Sequence, residues 1–356
     1  MSRVWDIPVH DFTRVRDVRV ATEEASAQAG LDPQRTAVAA LVAAELATNL
    51  LKHAGGGRFV INLVESAPNA QAPSVQLAAL DTGPGTADIT GALRDGYTTT
   101  HPSPGAGLGT CRRIANSFEL SSRYGRGTVA VARIDHEAKA LHGPPHRTTG
   151  PRAGGINIPL AHDRHSGDSW AHVRSGARLS MLLADGLGHG AEAARASTAA
   201  VTELHRAAHL PPTEILRHLH LALRPTRGAA IALAQLTLDS GHLRFAGVGN
   251  VVARLHTAGS WKPLVSHPGI VGASFPDTVP VQHMPWQRDS LLILYSDGLP
   301  GRWTLPNGAE LLGHDPAVVA AVILRDASST ATPVRDDTSV AVLAPDRRTG
   351  AHDHAA

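Results

Sequence analysis

Cysteine occurs once, at Cys111, so no internal disulfide can form and a reducing compartment is expected. Lysine is almost as scarce: Lys52, Lys139 and Lys262 are the only three, and arginine supplies the rest of the 33 basic side chains. Against 31 acidic residues this leaves a formal net charge of +2. No Lys/Arg cluster and no basic stripe interleaved with aromatics occurs, which argues against nucleic acid as a partner. No apolar run approaches the roughly 18 residues of a membrane span. Residues 1–10 lack the basic stretch and apolar run of a secretory signal, so a cytoplasmic protein is expected. The 21 histidines are scattered, without a His-x-x-x-His pair beside an acidic base, and read mostly as surface residues.

At 356 residues the chain is too long for one ordinary core and sufficient for two. Its 42% hydrophobic and 18% charged content is that of globular protein. Two blocks with clear apolar periodicity flank residues 135–155, DHEAKALHGPPHRTTGPRAGG, whose Pro, Gly, His and Thr content builds no core. The expected organisation is a domain over 1–136, a linker over 137–155, a second domain over 156–345 and a flexible tail over 346–356.

In the first block, residues 14–29 predict a helix stopped by Gly30. Asp32 and Pro33 supply an N-cap and a first-turn proline for a second helix running to about His53. Residues 58–65 and 75–80 read as strands, 107–116 as a short helix, and 118–134 as a hairpin broken at Tyr124-Gly125-Arg126-Gly127. That order predicts helices on one face of a mixed sheet. The second block predicts short strands at 171–173, 178–184, 229–238, 242–248, 251–256, 290–295 and 339–343. Helices are expected at 191–209, 213–223 and 316–326, giving an α/β sandwich and an α+β chain overall.

Three features of the first block converge. Glu45 and Asn49, in ELATN, lie four apart and share one helix face, where Asn49 can offer an oxygen to a divalent cation and Glu45 can accept a proton from a hydroxyl. Asp81 opens DTGPG after an apolar strand, and the glycines Gly83 and Gly85 permit close backbone approach, which suits recognition of a base's exocyclic amine. GAGLGT (Gly105, Gly107, Leu108, Gly109, Thr110) opens a helix whose N–H groups can face phosphate oxygens. Singly, each has a plainer reading as a turn or a solvated helix residue.

Together, ELATN, DTGPG and GAGLGT resemble the N, G1 and G2 boxes of the gyrase/Hsp90/histidine-kinase/MutL (GHKL) ATPase superfamily. DGYTTT at 95–100 and GRGT at 125–128 resemble the anti-sigma-factor serine/threonine kinases, the stressosome switch kinase above all. The resemblance implies a GHKL-type α/β sandwich that binds ATP and Mg²⁺. It implies Glu45 as general base, Asn49 as Mg²⁺ ligand, Asp81 as adenine contact, and the glycines with Thr128 as nucleotide-site residues. Residues 98–104 would form the ATP lid, and their HPSP segment departs from shorter family lids.

The second block places carboxylates at strand ends: Asp168 in SGDSW, Asp185 before Gly186 in ADGLGHG, Asp297 in YSDG, and Asp336 and Asp337 in RDDTS. Ionised groups at the rim of an apolar core repel one another and lose hydration, and a pair of hard divalent cations relieves both costs. A single Asp-Gly after a strand is ordinarily a turn, but this repeated arrangement is not. In family order with FAGVGN at 245–250, these motifs resemble the sporulation-phosphatase branch of the PP2C-like superfamily, and the stressosome feedback phosphatase in particular. The resemblance implies an α-β-β-α sandwich in which Asp185 bridges two Mn²⁺ or Mg²⁺ ions. Gly186 would add its carbonyl, Asp297 and Asp336 would complete the second site, and Asp168 would lie in or next to the first. Asp337 is not expected to be a ligand. His189 is read either as a general acid or as a phosphate or helix-start contact.

The expected function is a partner-switching regulator that phosphorylates Ser/Thr on an antagonist (STAS) protein and removes phosphate with the second domain. Its expected setting is a stressosome-like complex or a downstream sigma-factor pathway. The alternative is a phosphatase whose first domain is a non-catalytic, nucleotide-dependent binding module. An ATP-driven nucleic-acid machine lacks the basic tract it would need.

Overall fold

The computed structural model describes residues 3–65, 72–92, 107–138, 150–160, 163, 165–300, 303, 307–328 and 334–346. The linker residues 139–149, the lid at 98–104, the segment at 95–100 and the tail at 347–356 lie outside the described residues.

The first domain runs β1 (Trp5–Val9), α1 (Phe12–Ala29), α2 (Pro33–Ala54), β2 (Gly57–Val64), β3 (Ser74–Leu80), α3 (Ile89–Ala92), α4 (Leu108–Ile114), β4 (Ser117–Arg123) and β5 (Gly127–Ile134). The cap chemistry sets the long helices. Asp32 accepts from the Arg35 N–H, Pro33 occupies the first turn, and Gly55 ends α2 in the left-handed region at φ 71°. The sheet order is β1-β2-β3-β5-β4, and every pairing is antiparallel rather than mixed. Strand β1 and helix α3 were not anticipated. Alternation along the strands sends Phe59, Ile61, Val75 and Leu77 into a core with Val18, Val42, Leu46 and Leu50 of α1 and α2.

The second domain begins with β6 (Arg152–Ile158), which starts inside the segment expected to be linker. It continues with β7 (Asp168–Ser175), β8 (Arg178–Gly186), α5 (Gly190–Ala207), α6 (Pro212–Leu223), β9 (Ala229–Thr237), β10 (His242–Val248) and β11 (Val252–Thr257). After these come β12 (Ser260–Leu264), β13 (Gln282–Pro285), β14 (Leu291–Tyr295), α7 (Gly308–Leu311), α8 (Pro316–Ala327) and β15 (Thr338–Ala344). Two five-stranded antiparallel sheets, β13-β10-β9-β8-β7 and β12-β11-β14-β15-β6, stack face to face. Met181, Leu183, Phe245, Leu292 and Ala341 fill the space between them. Helices α5 and α6 cover the outer face of the first sheet and α8 that of the second.

The two domains share one core. The sheet face of the first domain that α1 and α2 leave open carries Val60, Ala78, Leu80, Val129 and Val131, which cluster with Val318, Val322, Ile323 and Leu324 of α8. Helix α8 is therefore apolar on all sides because it is packed between two sheets. Beside this apolar strip runs a polar row of directly paired cross-strand neighbours, Asn62, Gln76 and Arg133. All three reach the second domain. Asn62 binds the backbone of Asn157, Gln76 donates to the Gly155 carbonyl at 2.8 Å, and Arg133 pairs with Asp315. Among the described residues, no helix is long and apolar enough to cross a membrane.

Candidate nucleotide site and metal centre

The candidate nucleotide-site residues gather at one end of the first sheet. Glu45 and Asn49 stand on one half-buried face of α2. Burial raises the Glu45 carboxyl above its ordinary value against the pull of Lys52, and the Glu45 charge in turn helps burial push Cys111 on α4 up to about 12. The base candidate thus faces the helix that Gly107 and Leu108 open, with Gly109 buried and the Thr110 N–H closing on the Gly107 carbonyl at 2.8 Å. Gly105 lies outside the described residues.

Asp81 sits where β3 ends, and its Oδ1 accepts from the N–H groups of Gly83 at 2.9 Å and Thr128 at 3.0 Å. Burial raises its carboxyl; those bonds and the charges of Arg325 and His53 oppose the rise. Gly83 is required because a Cβ there would stand 2.6 Å from the Ala54 Cβ at the end of α2. Thr128 also pairs its hydroxyl with Ser122 at 2.8 Å, and Gly85 turns back toward Arg123 at φ 65°. Arg325, a buried residue of α8, belongs to the other domain, so that domain contributes to the electrostatics of Asp81.

The acidic residues of the second domain meet at one end of the sandwich. Asp168 and Asp185 are cross-strand partners on β7 and β8. Asp297 follows β14 and Asp336 precedes β15, strands that pair with each other in the facing sheet. Ser296 ties the sheets together by donating its hydroxyl to Asp168 Oδ2 at 2.5 Å. Burial and the charges of Asp297, Asp336 and Asp337 raise Asp185 to about 7, and burial with the Asp185 charge raises Asp168 well above the ordinary range. Asp337 spends both oxygens on the N–H groups of Leu160 and Gly167, each at 2.7 Å, and so fastens the loop before β7. Gly186 binds the Gly167 carbonyl through its N–H at 3.1 Å, and a Cβ on it would meet the Ala193 carbonyl oxygen at 2.2 Å. His189 is exposed at the N-cap of α5, with no side-chain cap bond.

These donors fit hard divalent cations. All are oxygens, their mutual repulsion is unrelieved, and the buried Asp168 Oδ1 has no hydrogen-bond partner. Among the described residues no three acidic, His or Cys side chains converge tightly enough to enclose one ion. Mg²⁺ and Mn²⁺ are hard ions that accept carboxylate oxygens while keeping several waters.

Residues that sequence reasoning missed complete the centre. Asn250 donates to Asp297 Oδ2 at 2.5 Å, and it closes the FAGVGN motif that had been given no role. Ser296 immediately precedes Asp297. Asn157 donates to the Asp168 carbonyl at 2.8 Å, and nothing in its local sequence signals this. Arg227 is exposed, with its Nη1 3.1 Å from where a Gly188 Cβ would stand. The β8–β9 ladder ends with Gly186 paired to Ala229, and just beyond it the Leu187 N–H reaches the Gly228 carbonyl, so the chains carrying Gly188 and Arg227 leave the ladder side by side.

Two family models match the chain, one described as a histidine kinase-like ATPase domain over residues 9–134 and one as Stage II sporulation protein E (SpoIIE) over 175–345. Serine/threonine-protein kinase RsbT of Bacillus subtilis (strain 168) is 35% identical over 88 residues, which is 25% of this chain and 63% of that kinase. The chain thus spans less than two thirds of that relative's length. Among solved structures, the RsbU and RsbW domains of Rv1364c from Mycobacterium tuberculosis align at 20% identity and a TM-score of 0.45, covering 57% of this chain and 62% of that one. The PP2C phosphatase domain of SpoIIE from Bacillus subtilis, with a fragment of its regulatory domain, aligns at 16% identity and a TM-score of 0.44, covering 65% and 72%. The chain is thus similar to a histidine kinase-like ATPase domain in its first block and to Stage II sporulation protein E (SpoIIE) in its second.

Proposed function

We propose that the chain is a partner-switching regulator: its first domain transfers phosphate from ATP to a Ser or Thr of a STAS-type antagonist protein, and its second hydrolyses phosphoserine or phosphothreonine. The observation that carries the hydrolase half is the meeting of Asp168, Asp185, Asp297 and Asp336 at one end of the sandwich, with Asp185 raised to about 7 by burial and by its acidic neighbours. Asp185, with the Gly186 carbonyl, would be shared between two Mn²⁺ or Mg²⁺ ions, Asp297 and Asp336 would hold the second, and Asp168 would support the first. Bound there, the ions supply an acidified water as nucleophile and positive charge for the phosphoryl oxygens. The chain's own part is positional: Asn250 orients Asp297, Ser296 orients Asp168, and Arg227 offers a cation to the substrate beside the Asp185 loop. His189 is left free at the α5 N-cap to give or take a proton.

In the kinase half, Glu45 accepts the proton of the attacking hydroxyl, and burial already raises its affinity for one. Asn49 holds the nucleotide's Mg²⁺, Asp81 accepts from the adenine amine, and Gly107 to Thr110 face the phosphates. Wild type, Asn49→Ala and Asp297→Asn incubated with STAS-type proteins, labelled ATP and Mn²⁺ test both halves. Asn49→Ala is expected to lose transfer only and Asp297→Asn removal only. Neither transfer nor removal by wild type sinks the enzymatic reading.

A second reading, in which the first domain is a nucleotide-dependent regulatory module, draws support from the shared core and from Arg325 beside Asp81. Loss of transfer in Glu45→Ala with ATP binding retained excludes that reading, provided wild type transfers phosphate.

A further inference from the structure

The metal-centre carboxylate Asp168 is braced from the other domain. Strand β6 is the edge of its sheet, so the outward N–H and C=O of Asn157 have no strand partner. The side chain of Asn62, on β2 of the ATPase domain, takes that place. Its Nδ2 donates to the Asn157 carbonyl at 2.9 Å and its Oδ1 accepts from the Asn157 N–H at 3.1 Å. One amide thereby does what a neighbouring strand would do, and the match needs a group that donates and accepts at once. Asn157 passes the constraint on, since its own Nδ2 donates at 2.8 Å to the backbone carbonyl of Asp168 on the edge strand of the facing sheet. Both asparagines are enclosed, at 4% and 6% exposure, so no bulk water stands ready to replace these bonds.

The polar row on the ATPase sheet supplies an internal comparison. Gln76, the direct cross-strand neighbour of Asn62, also grips β6, but at the Gly155 carbonyl, and no relay leads from there to Asp168. Its remaining amide oxygen accepts from Arg133 Nε at 3.0 Å. Removing Gln76 takes one bond from the domain contact and the acceptor of Arg133 Nε with it, yet leaves the Asn157–Asp168 bond untouched.

We propose that Asn62 of the ATPase domain is a positioning residue for the phosphatase metal centre, acting through Asn157 on the backbone of Asp168. This rests on the reading that Asp168 belongs to a divalent-metal site. Residues that orient ligands from one shell out typically change metal affinity by tenfold or more when removed. The ATPase domain would then be part of the phosphatase site, and any rearrangement of β2 against β6 would be felt as a change in metal affinity.

The test uses the full-length chain without nucleotide and measures Mn²⁺ binding directly, by the electron paramagnetic resonance of the free ion, alongside thermal unfolding. Asn62→Leu is expected to weaken Mn²⁺ binding about tenfold. Gln76→Leu is expected to lower the unfolding temperature as much or more while leaving Mn²⁺ affinity within about twofold of wild type. Asn157→Ala, which keeps the Asn62 contact to the backbone, is the second variant should Asn62→Leu not fold, and is expected to weaken Mn²⁺ to a similar degree. The Asn62→Leu/Asn157→Ala pair is expected to be no weaker than Asn157→Ala alone, as for two members of one relay. Wild-type Mn²⁺ affinity in Asn62→Leu or Asn157→Ala overturns the proposal, as does equal weakening in Gln76→Leu. Absence of Mn²⁺ binding by wild type removes the metal centre itself, an outcome distinct from the other two.

Discussion

Arg133 and Asp315 lie 182 residues apart and meet across the domain boundary in a two-pronged ion pair, at 3.0 and 2.7 Å. Burial disfavours the Asp315 charge, but the Arg133 charge and its hydrogen bonds outweigh that cost and hold the carboxyl below its ordinary value. Asp315 is also the N-cap of α8, accepting from the Ala317 N–H at 2.9 Å, so a single carboxylate fixes both the start of the helix and its seat on the ATPase sheet. Asp315→Asn keeps a capping side chain and leaves Arg133 unpaired; Arg133→Met does the reverse. Each is expected to lower unfolding free energy by about 3 kcal/mol. The double variant should lose less than the sum, because no uncompensated charge remains. Urea unfolding of the four proteins gives the comparison, and additive losses would show that the pair is not coupled.

A buried imidazole contributes to the acid limb of the stability profile. His172, on β7, is 4% exposed, its Nδ1 has no hydrogen-bond partner, and its ring stacks on Trp170 at 6.1 Å between centroids. Burial, with the nearby charges of Arg133 and His205, lowers it to about 4. An unfolded His takes its proton near pH 6.5, so between about 6.5 and 4 the unfolded chain binds a proton that the folded chain refuses. The contribution of His172 is therefore complete above pH 6.5, falls with pH through that window by up to about 3 kcal/mol, and changes no further below pH 4. Thermal or urea unfolding of His172→Leu at several pH values should show a flatter slope across that window than wild type. An identical slope would mean that the ring protonates in place.

What could be read beforehand follows from how local each signal is. Helix α2 was legible because Asp32, Pro33 and Gly55 carry its start and stop in their own chemistry. The acidic motifs were legible because each pairs a strand end with a turn. Strand β6 was not, since PRAGGINI reads as a turn-rich segment. Its glycines are demanded by neighbours distant in sequence: a Cβ on Gly154 would stand 2.7 Å from the Ala317 N, and one on Gly155 would stand 2.6 Å from the Trp170 ring. Strand β1 was hidden by Pro8, which an edge strand tolerates because its outer N–H needs no partner. Residues 316–326 predict a helix, and its nearly continuous apolar run, Ala317 to Leu324, matches burial on every side between two sheets. The Asn62–Asn157 contact had no sequence signature, because it depends on how the domains dock.

The hairpin after Asp81 separates two glycines that look alike in sequence. Gly125 and Gly127 both have positive φ, 74° and 89°. A Cβ on Gly125 meets nothing within 4 Å, whereas one on Gly127 would stand 2.1 Å from the Asp81 carbonyl oxygen. Gly125→Ala should therefore cost only the left-handed backbone penalty, about 1 kcal/mol, and leave ATP affinity unchanged. Gly127→Ala adds a backbone clash under Asp81, the proposed adenine contact, and should weaken ATP by more than tenfold, as read by isothermal titration. Equal affinities for the two variants would place the adenine away from Asp81.

Arg227 provides the sharpest check on substrate approach. Its guanidinium is exposed, and among the described residues no acidic side chain pairs with it. Its Nη1 nonetheless lies 3.1 Å from where a Cβ of Gly188, three residues beyond Asp185, would stand. An exposed cation beside the loop that follows Asp185 is available to an anionic substrate. Its distance along the ladder from Asp185 assigns it to binding rather than to bond breaking. Arg227→Met should raise KM for a phosphoprotein substrate about tenfold with kcat within about twofold of wild type, the pattern of a contact equally strong in ground and transition states. Raising ionic strength should narrow the gap between the two proteins, because an exposed charge pair is screened. A fall in kcat at constant KM would instead move Arg227 to the reacting phosphoryl group, and unchanged constants would remove it from the substrate's path.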